Sequence, residues 1–298
     1  MSSFSTKTTH KTPYPALSPT LPQHSQAGQT VVITGGGSGI GFAITRAFVQ
    51  AGAAKIIILG RRAGVLSEAI AKLQKEVPNF KGELQAVPCD ISDAASVTAF
   101  WDGLEKAKTA VDVLVLNAAI VGYMGDIAAT GNSNVWAAYE SNVQANLRFA
   151  QLFFGNVDAV PNGRKKALIE ISTIQVRDYS MPHMVAYGAT KTAFTTLFQR
   201  IATQVPVEKV QMVSIDPGFI PTPGSLNALG GGHNIDSSLW DDVNLAGQFV
   251  VWATTPAATA FHGRFVEAHW DIEELQSAEV KERLANESKL LLLGVNGI

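Results

Sequence analysis

Short apolar runs separated by amphipathic stretches repeat along most of the chain. Val31-Val32-Ile33 is the first such run, and it feeds a glycine-rich stretch followed by helically spaced apolar positions from Phe42 to Ala51. Lys55 to Gly60, Glu83 to Pro88, Asp112 to Leu116, Ala167 to Ser172, Val210 to Ile215 and Gly263 to Ala268 read as further strands. Gly64 to Val77, Ala94 to Lys108, Val135 to Phe154 and Val185 to Gln204 read as the helices between them. Short apolar strands alternating with helices predict βαβ units, hence an α/β fold with a doubly wound parallel sheet. Ligands of such sheets sit beyond the carboxyl ends of the strands. Two irregular stretches, Ile174 to Met184 and Pro217 to Trp240 with Gly230-Gly231-Gly232, are long enough to serve as a lid or binding loop.

The first 29 residues break this pattern. They are rich in Ser, Thr and Pro, with Pro13, Pro15, Pro19 and Pro22, and predict a flexible tail ahead of one domain spanning 30–298. Within that domain the substrate loop is expected at 217–240 and a C-terminal tail at 271–298. The tail at the start lacks the apolar core of a secretory signal.

Composition narrows the function. A chain of 298 residues with 46% hydrophobic and 16% charged residues can bury a large single core. Its net charge of −2 supplies no basic stripe, so no nucleic acid partner is expected. One cysteine, Cys89, rules out a disulfide framework and a cysteine-cluster metal site. His183, His233, His262 and His269 have no acidic companion at ligand spacing, so no metal is expected. No run approaches the roughly 20 apolar residues of a membrane span. These features fit a soluble, cytoplasmic protein with a small-molecule substrate.

Two motifs carry chemistry. Thr34-Gly35-Gly36-Gly37-Ser38-Gly39-Ile40-Gly41 joins a strand to a helix; its glycines admit a pyrophosphate close to the backbone, and the helix N-terminus behind them offers free N–H groups and a positive dipole end. This is a dinucleotide-binding turn. Tyr187 and Lys191 are four residues apart, one above the other on a helix. A nearby cation favours the phenolate and draws the phenol's pKa toward the working range, as general acid-base chemistry requires.

With these motifs in order, the sequence resembles the short-chain dehydrogenase/reductase family over about residues 30 to 270, a Rossmann-fold family of NAD(P)-dependent oxidoreductases. Thr34 to Gly41 matches its cofactor turn, Cys89-Asp90 its adenine contact, and Asn117-Ala118-Ala119 its N-A-G segment. Asn142 matches the structural and proton-relay asparagine, Ser172-Thr173 the hydroxyl segment, Tyr187 and Lys191 the catalytic pair, and Pro217-Gly218-Phe219-Ile220-Pro221-Thr222 the nicotinamide-side loop. Two departures stand out: Leu116 and Ala119 replace the first asparagine and the glycine of N-N-A-G, and either Ser172 or Thr173 can be the catalytic hydroxyl. The resemblance implies that Lys191 binds the nicotinamide ribose and lowers the pKa of Tyr187. Tyr187 then protonates the developing alkoxide, Ser172 or Thr173 holds the carbonyl oxygen, and Asn142 holds a water connecting Lys191 to solvent. It also implies a homodimer or homotetramer.

The cofactor follows from charge. NAD-binding proteins place an acid at the end of strand two for the ribose 2′-hydroxyl. Here Gly60 stands there, followed by Arg61 and Arg62, and a guanidinium suits a 2′-phosphate. NADP is therefore expected, in a reductase acting on a carbonyl of an apolar or aromatic molecule in specialised metabolism. An NAD-dependent alcohol dehydrogenase and a non-catalytic cofactor-binding scaffold are the alternatives. The apolar substrate rests on Val176, Tyr179, Met181, Met184, Phe219, Leu226, Leu229 and Trp240 in the two loops, which contain no lysine and only one arginine, Arg177.

Overall fold

Seven strands form one parallel sheet: β1 (Thr30–Thr34), β2 (Lys55–Gly60), β3 (Glu83–Pro88), β4 (Val113–Leu116), β5 (Lys166–Ile171), β6 (Val210–Asp216) and β7 (Arg264–Glu267). Their spatial order is β3-β2-β1-β4-β5-β6-β7. The computed structural model describes residues 4–122, 125–155, 165–222, 226 and 236–294. The order reverses beside β1, whose Val31 pairs with Ile56 of β2 on one side and Val113 of β4 on the other. That switch point opens a crevice at the carboxyl ends of β1 and β4. Both faces of the central strands are covered, which explains why they read as unbroken apolar runs rather than alternating ones.

One face of the sheet packs against helices α1 (Gly39–Gln50) and α2 (Ala63–Glu76), the other against α3 (Ala94–Lys106). The expected long helix 135–154 is three pieces. A short α4 (Ile127–Thr130) precedes α5 (Asn132–Tyr139), then a π turn spans Glu140–Ala145, and α6 (Asn146–Gly155) follows. The π turn adds a residue to the helical repeat, so the helix face rotates at Asn142. α7 (Val185–Ala202) carries Tyr187 and Lys191.

A further helix, α8 (Val243–Ala253), was not anticipated. Eight of its residues are buried, so it shows no polar face to mark its period. It crosses α1 so closely that a Cβ on Gly247 would stand 2.5 Å from the carbonyl oxygen of Ala43. The tail from 271 begins with α9 (Ile272–Leu275) and α10 (Ala278–Asn286), capped by Asp271 and Ser277.

The amino-terminal segment corrects the expectation of a flexible tail. Residues 4–29 lie against the domain as a strap. Leu17 is fully buried, the Phe4 ring meets Trp270 edge-on at 5.1 Å, and Thr9 bridges Trp270. The backbone N–H groups of Lys7 and Thr8 donate to the Glu274 carboxylate at 2.7 and 2.9 Å. His10 N–H donates to His269 O at 2.7 Å, and the carbonyl of Lys11 accepts from Asp242 N–H at 2.8 Å. Composition averages hide such a segment, because few apolar anchors and many backbone hydrogen bonds hold it. Its prolines begin two 3₁₀ turns, Pro15–Leu17 and Pro22–His24, where the missing N–H is not needed.

Candidate active site

The end of β1 and the turn after it make one half of the site. Thr34 is buried: its hydroxyl accepts the N–H groups of Asn117 and Ala118 at 2.9 and 3.0 Å and reaches Val115 O at 3.3 Å. It therefore ties β1 to β4 behind the turn and does not face the cleft, which corrects the ligand contact expected of it. Gly35 and Gly39 adopt left-handed φ values of 68° and 52°. A Cβ on Gly41 would collide with the carbonyl oxygen of Gly35 and come within 2.6 Å of Asn117 Nδ2. The turn is thus a cradle with no room for side chains, facing the open N-terminus of α1, and it fits a pyrophosphate.

Gly35, Ser38, Gly39, Ile40, Gly41, Arg61, Arg62, Cys89, Asp90, Asn117 and Ala118 line one cleft of about 940 Å³ with Pro217, Gly218, Ile220 and Thr222. Arg61 and Arg62 are exposed just past β2, and among the described residues no acid stands at that strand end. Thr222 comes down on the turn, since a Cβ on Gly39 would meet its Cγ2 at 3.2 Å.

The same cleft holds the catalytic candidates. The structure separates the two hydroxyls that the sequence leaves equivalent. Ser172 Oγ lies 2.6 Å from Thr195 Oγ1 in the interior. Thr173 instead begins the 3₁₀ turn Ile174–Val176, its hydroxyl accepting Gln175 N–H at 3.4 Å, and lines the cleft together with Tyr187. Lys191 is buried, with Nζ donating to Ile171 O at 2.6 Å and standing 6.0 Å from the Tyr187 ring centroid. In the protein alone Lys191 does not draw the phenol down. Burial pushes Tyr187 above its ordinary value, Asp216 adds to this, and the Thr173 hydrogen bond opposes it.

Asn142 is buried and does not line the cleft. Its Oδ1 accepts Ile120 N–H at 2.8 Å, and its Nδ2 donates to Ile120 O at 2.8 Å and to Thr190 Oγ1 at 3.0 Å. The side chain thereby clamps the strand that leaves β4 against α7. It uses both ends of its amide for this, which gives the side chain a structural role.

Sequence reasoning missed a titratable group beside Tyr187. Asp216 ends β6, and its Oδ1 accepts Ile174 N–H at 2.9 Å. Burial pushes its pKa up to about 6 against the lowering influence of His269, backbone N–H groups and Arg177. His269 Nε2 lies 3.0 Å from Glu267 Oε2, and the Arg177 guanidinium meets Glu267 Oε1. His269 thus does have acidic companions: ligand atoms of Asp216, Glu267 and His269 fall within 4.8 Å of one another. Arg177 supplies the balancing cation there. The position of Asp216, immediately before Pro217-Gly218 in the loop already assigned to the site, was the available signal.

The expected lid is partly visible. Phe219 and Trp240 stack at 4.4 Å, and Phe219 exchanges hydrogen bonds with Asp241, through its N–H at 2.8 Å and its carbonyl at 2.9 Å. Leu229 and Gly230 to Gly232 lie outside the described residues. Met181, Met184 and Phe219 line the cleft, whereas Tyr179 is 83% exposed and Val176 packs inward.

A model of the short chain dehydrogenase family matches residues 29–228. A short chain dehydrogenase/reductase of Claviceps purpurea is 32% identical over 292 residues, covering 97% of this chain and 94% of its own. The short chain dehydrogenase/reductase AacuD of Aspergillus aculeatus is 30% identical over 268 residues, covering 90% and 88%. Among solved structures, the Pseudomonas aeruginosa RhlG/NADP active-site complex superimposes with a TM-score of 0.71 at 21% identity, over 83% of this chain and 97% of that one. A Beutenbergia cavernae protein described as a putative gluconate 5-dehydrogenase with bound NADP gives 0.69 at 24% identity, over 86% of this chain and 100% of that one. A family match across the turn, the sheet and the tyrosine helix accounts for the cleft as built, and the chain belongs to the short-chain dehydrogenase/reductase family of oxidoreductases.

Proposed function

We propose that this oxidoreductase is an NADP(H)-dependent carbonyl reductase acting on an apolar or aromatic small molecule, in specialised metabolism. The observation that carries the reading is the meeting of Thr173, Tyr187 and Lys191 in one cleft with the glycine-rich turn, Lys191 Nζ being held by Ile171 O. A phenol held above its ordinary pKa is protonated at neutral pH, which is the state a general acid for reduction needs. Thr173 Oγ1 would hold the carbonyl oxygen and Tyr187 would deliver the proton to it. When bound, the nicotinamide supplies the hydride to the carbonyl carbon. Tyr187 then recovers a proton by way of Lys191, and Asn142 keeps Ile120 and Thr190 in register around them.

Arg61 and Arg62 support NADP over NAD, because their charge and geometry suit a 2′-phosphate. Ile120, Val121, Met181, Met184 and Phe219 support an apolar substrate body. The exposed Trp136 of α5 and Val185 of α7 support self-association as a homodimer or homotetramer. Among the described residues no helix is long and apolar enough to cross a membrane; a cytoplasmic location is part of the same proposal.

The test is NADPH oxidation against a panel of ketones and aldehydes, with NADH in parallel. Wild type should consume NADPH with at least one apolar ketone, and Tyr187→Phe should lose nearly all turnover while still quenching on NADPH binding. Turnover of Tyr187→Phe within tenfold of wild type would remove the acid role.

A further inference from the structure

Glu170 is a buried charge that the reaction described above leaves unused. It lies on β5, is 1% exposed, and shares a face of the strand with Ser172. α7 covers that face and presents Lys191 and Thr195, four residues apart, on one side. Thr195 Oγ1 donates to Glu170 Oε1 at 2.7 Å, and Ser214 Oγ of β6 donates to Oε2 at 2.6 Å. Because the single Thr195 hydrogen goes to the carboxylate, the 2.6 Å contact between Ser172 and Thr195 has Ser172 as donor. A chain of hydroxyls therefore converges on Glu170, with both carboxylate oxygens accepting; burial pushes the carboxyl above its ordinary value, and Lys191, Ser214 and Thr195 oppose that by favouring the ionised form.

Lys191 needs such a neighbour. Its ammonium is buried, and its hydrogen bond to Ile171 O goes to a neutral carbonyl. An ammonium in a dry interior sheds its proton unless a charge compensates it. Burial lowers Lys191 overall, and Glu170 is the charge that offsets part of that lowering. The other ionisable groups facing the pair are Tyr187 on α7 and Asp216 on β6, the latter with His269 and Arg177 around it. Both Tyr187 and Asp216 are neutral or anionic, so Glu170 is balanced by Lys191 rather than by them.

We propose that Glu170 is a positioning residue that acts through Lys191 as its buried counter-charge, with Ser172, Thr195 and Ser214 holding the carboxylate in place. The catalytic relevance of that lysine rests on the reductase reading; the compensation between the two buried charges does not. The Ser172 hydroxyl belongs to this cradle.

The experiment is titration of Lys191 by carbon-13 NMR of lysine-labelled protein, with the signal assigned by its loss in Lys191→Met. In wild type the signal should stay that of an ammonium through neutral pH; titration of the wild-type signal below neutral pH overturns the proposal whatever the variants do. In Glu170→Gln, which keeps the shape and removes the charge, Lys191 should titrate at least about one pH unit lower, and Glu170→Asp should restore most of the difference. An unmoved titration in folded Glu170→Gln also overturns the proposal. The alkaline limb of turnover should move down with the lysine. A shifted lysine titration with no turnover of any carbonyl compound by wild type would sink the reductase reading and leave the counter-charge standing.

Discussion

At the scale of single residues, the direction in which a side chain points decides its chemistry. Ser172 and Thr173 are neighbours of similar reactivity, yet one hydroxyl bonds Thr195 inside and the other caps the turn at Gln175 beside Tyr187 in the cleft. Thr173→Ala is expected to lower turnover by at least tenfold with little change in melting temperature. Ser172→Ala should show the opposite split, a modest rate effect with a lower melting temperature, because a buried hydroxyl partner is lost at about 1 kcal/mol. Equal small rate effects would remove the hydroxyl role from this segment. Asp216 makes a pH prediction with a definite sign. Its folded pKa of about 6 stands above the ordinary aspartate value of 3.8, so between these values the folded protein holds more protons than the unfolded one, and this residue's contribution makes stability fall as pH rises through that window. Asp216→Asn keeps an acceptor for Ile174 N–H and should flatten that slope, raising stability at neutral pH relative to wild type. Thermal melts at pH 4 to 7 check it, and an unchanged slope would contradict it.

At the scale of elements, strands buried on both faces were plain in the sequence because parallel strands of a covered sheet carry no polar alternation. β2 and β3 agree with the expected spans residue for residue, and the others to within a residue or so. α8 escaped for the same physical reason in reverse: a helix buried nearly all round has no amphipathic period to read. The π turn at Asn142 escaped because one inserted residue barely disturbs a pattern spread over twenty positions. Glu170 was overlooked inside an otherwise apolar strand, although an acid there was itself the signal that something must bond it. The tyrosine, lysine and glycine turn were legible because their chemistry depends on local spacing; Asp216, Glu267 and His269 were not, because three separate segments bring them together. The end of β2 carries its own prediction. Gly60→Asp with Arg61→Ala should move cofactor preference toward NADH by roughly ten- to a hundredfold, the worth of one charged hydrogen bond. Leu66 must yield slightly to the new Cβ at 3.2 Å. An unchanged NADPH/NADH ratio would place the 2′-phosphate elsewhere.

At the scale of the whole molecule, the strap of residues 4–29 belongs to the pocket as much as to the surface. His10 holds His269, whose ring lines the cleft, and Lys11 holds the segment around Asp242 through its carbonyl and, at 2.6 Å, through Nζ to Ser238 O. Asp271 lies below its ordinary value despite burial, because His10 and the N–H groups of Glu274 and Glu273 bond its carboxylate. Removing residues 1–12 should therefore weaken substrate binding more than cofactor binding, seen as a raised KM for the carbonyl compound with an unchanged NADPH dissociation constant. Equal loss of both would mean that the strap supports the sheet in general.

The strap also has an implication for how the chain matures on the ribosome. Lys7, His10 and Lys11 find their partners at 238 to 274, which follow them by more than two hundred residues, so these bonds cannot form until late in synthesis. The sheet can assemble from β1 outward while that strap waits, and the cleft gains Glu267 and His269 only when β7 and the residues just after it arrive.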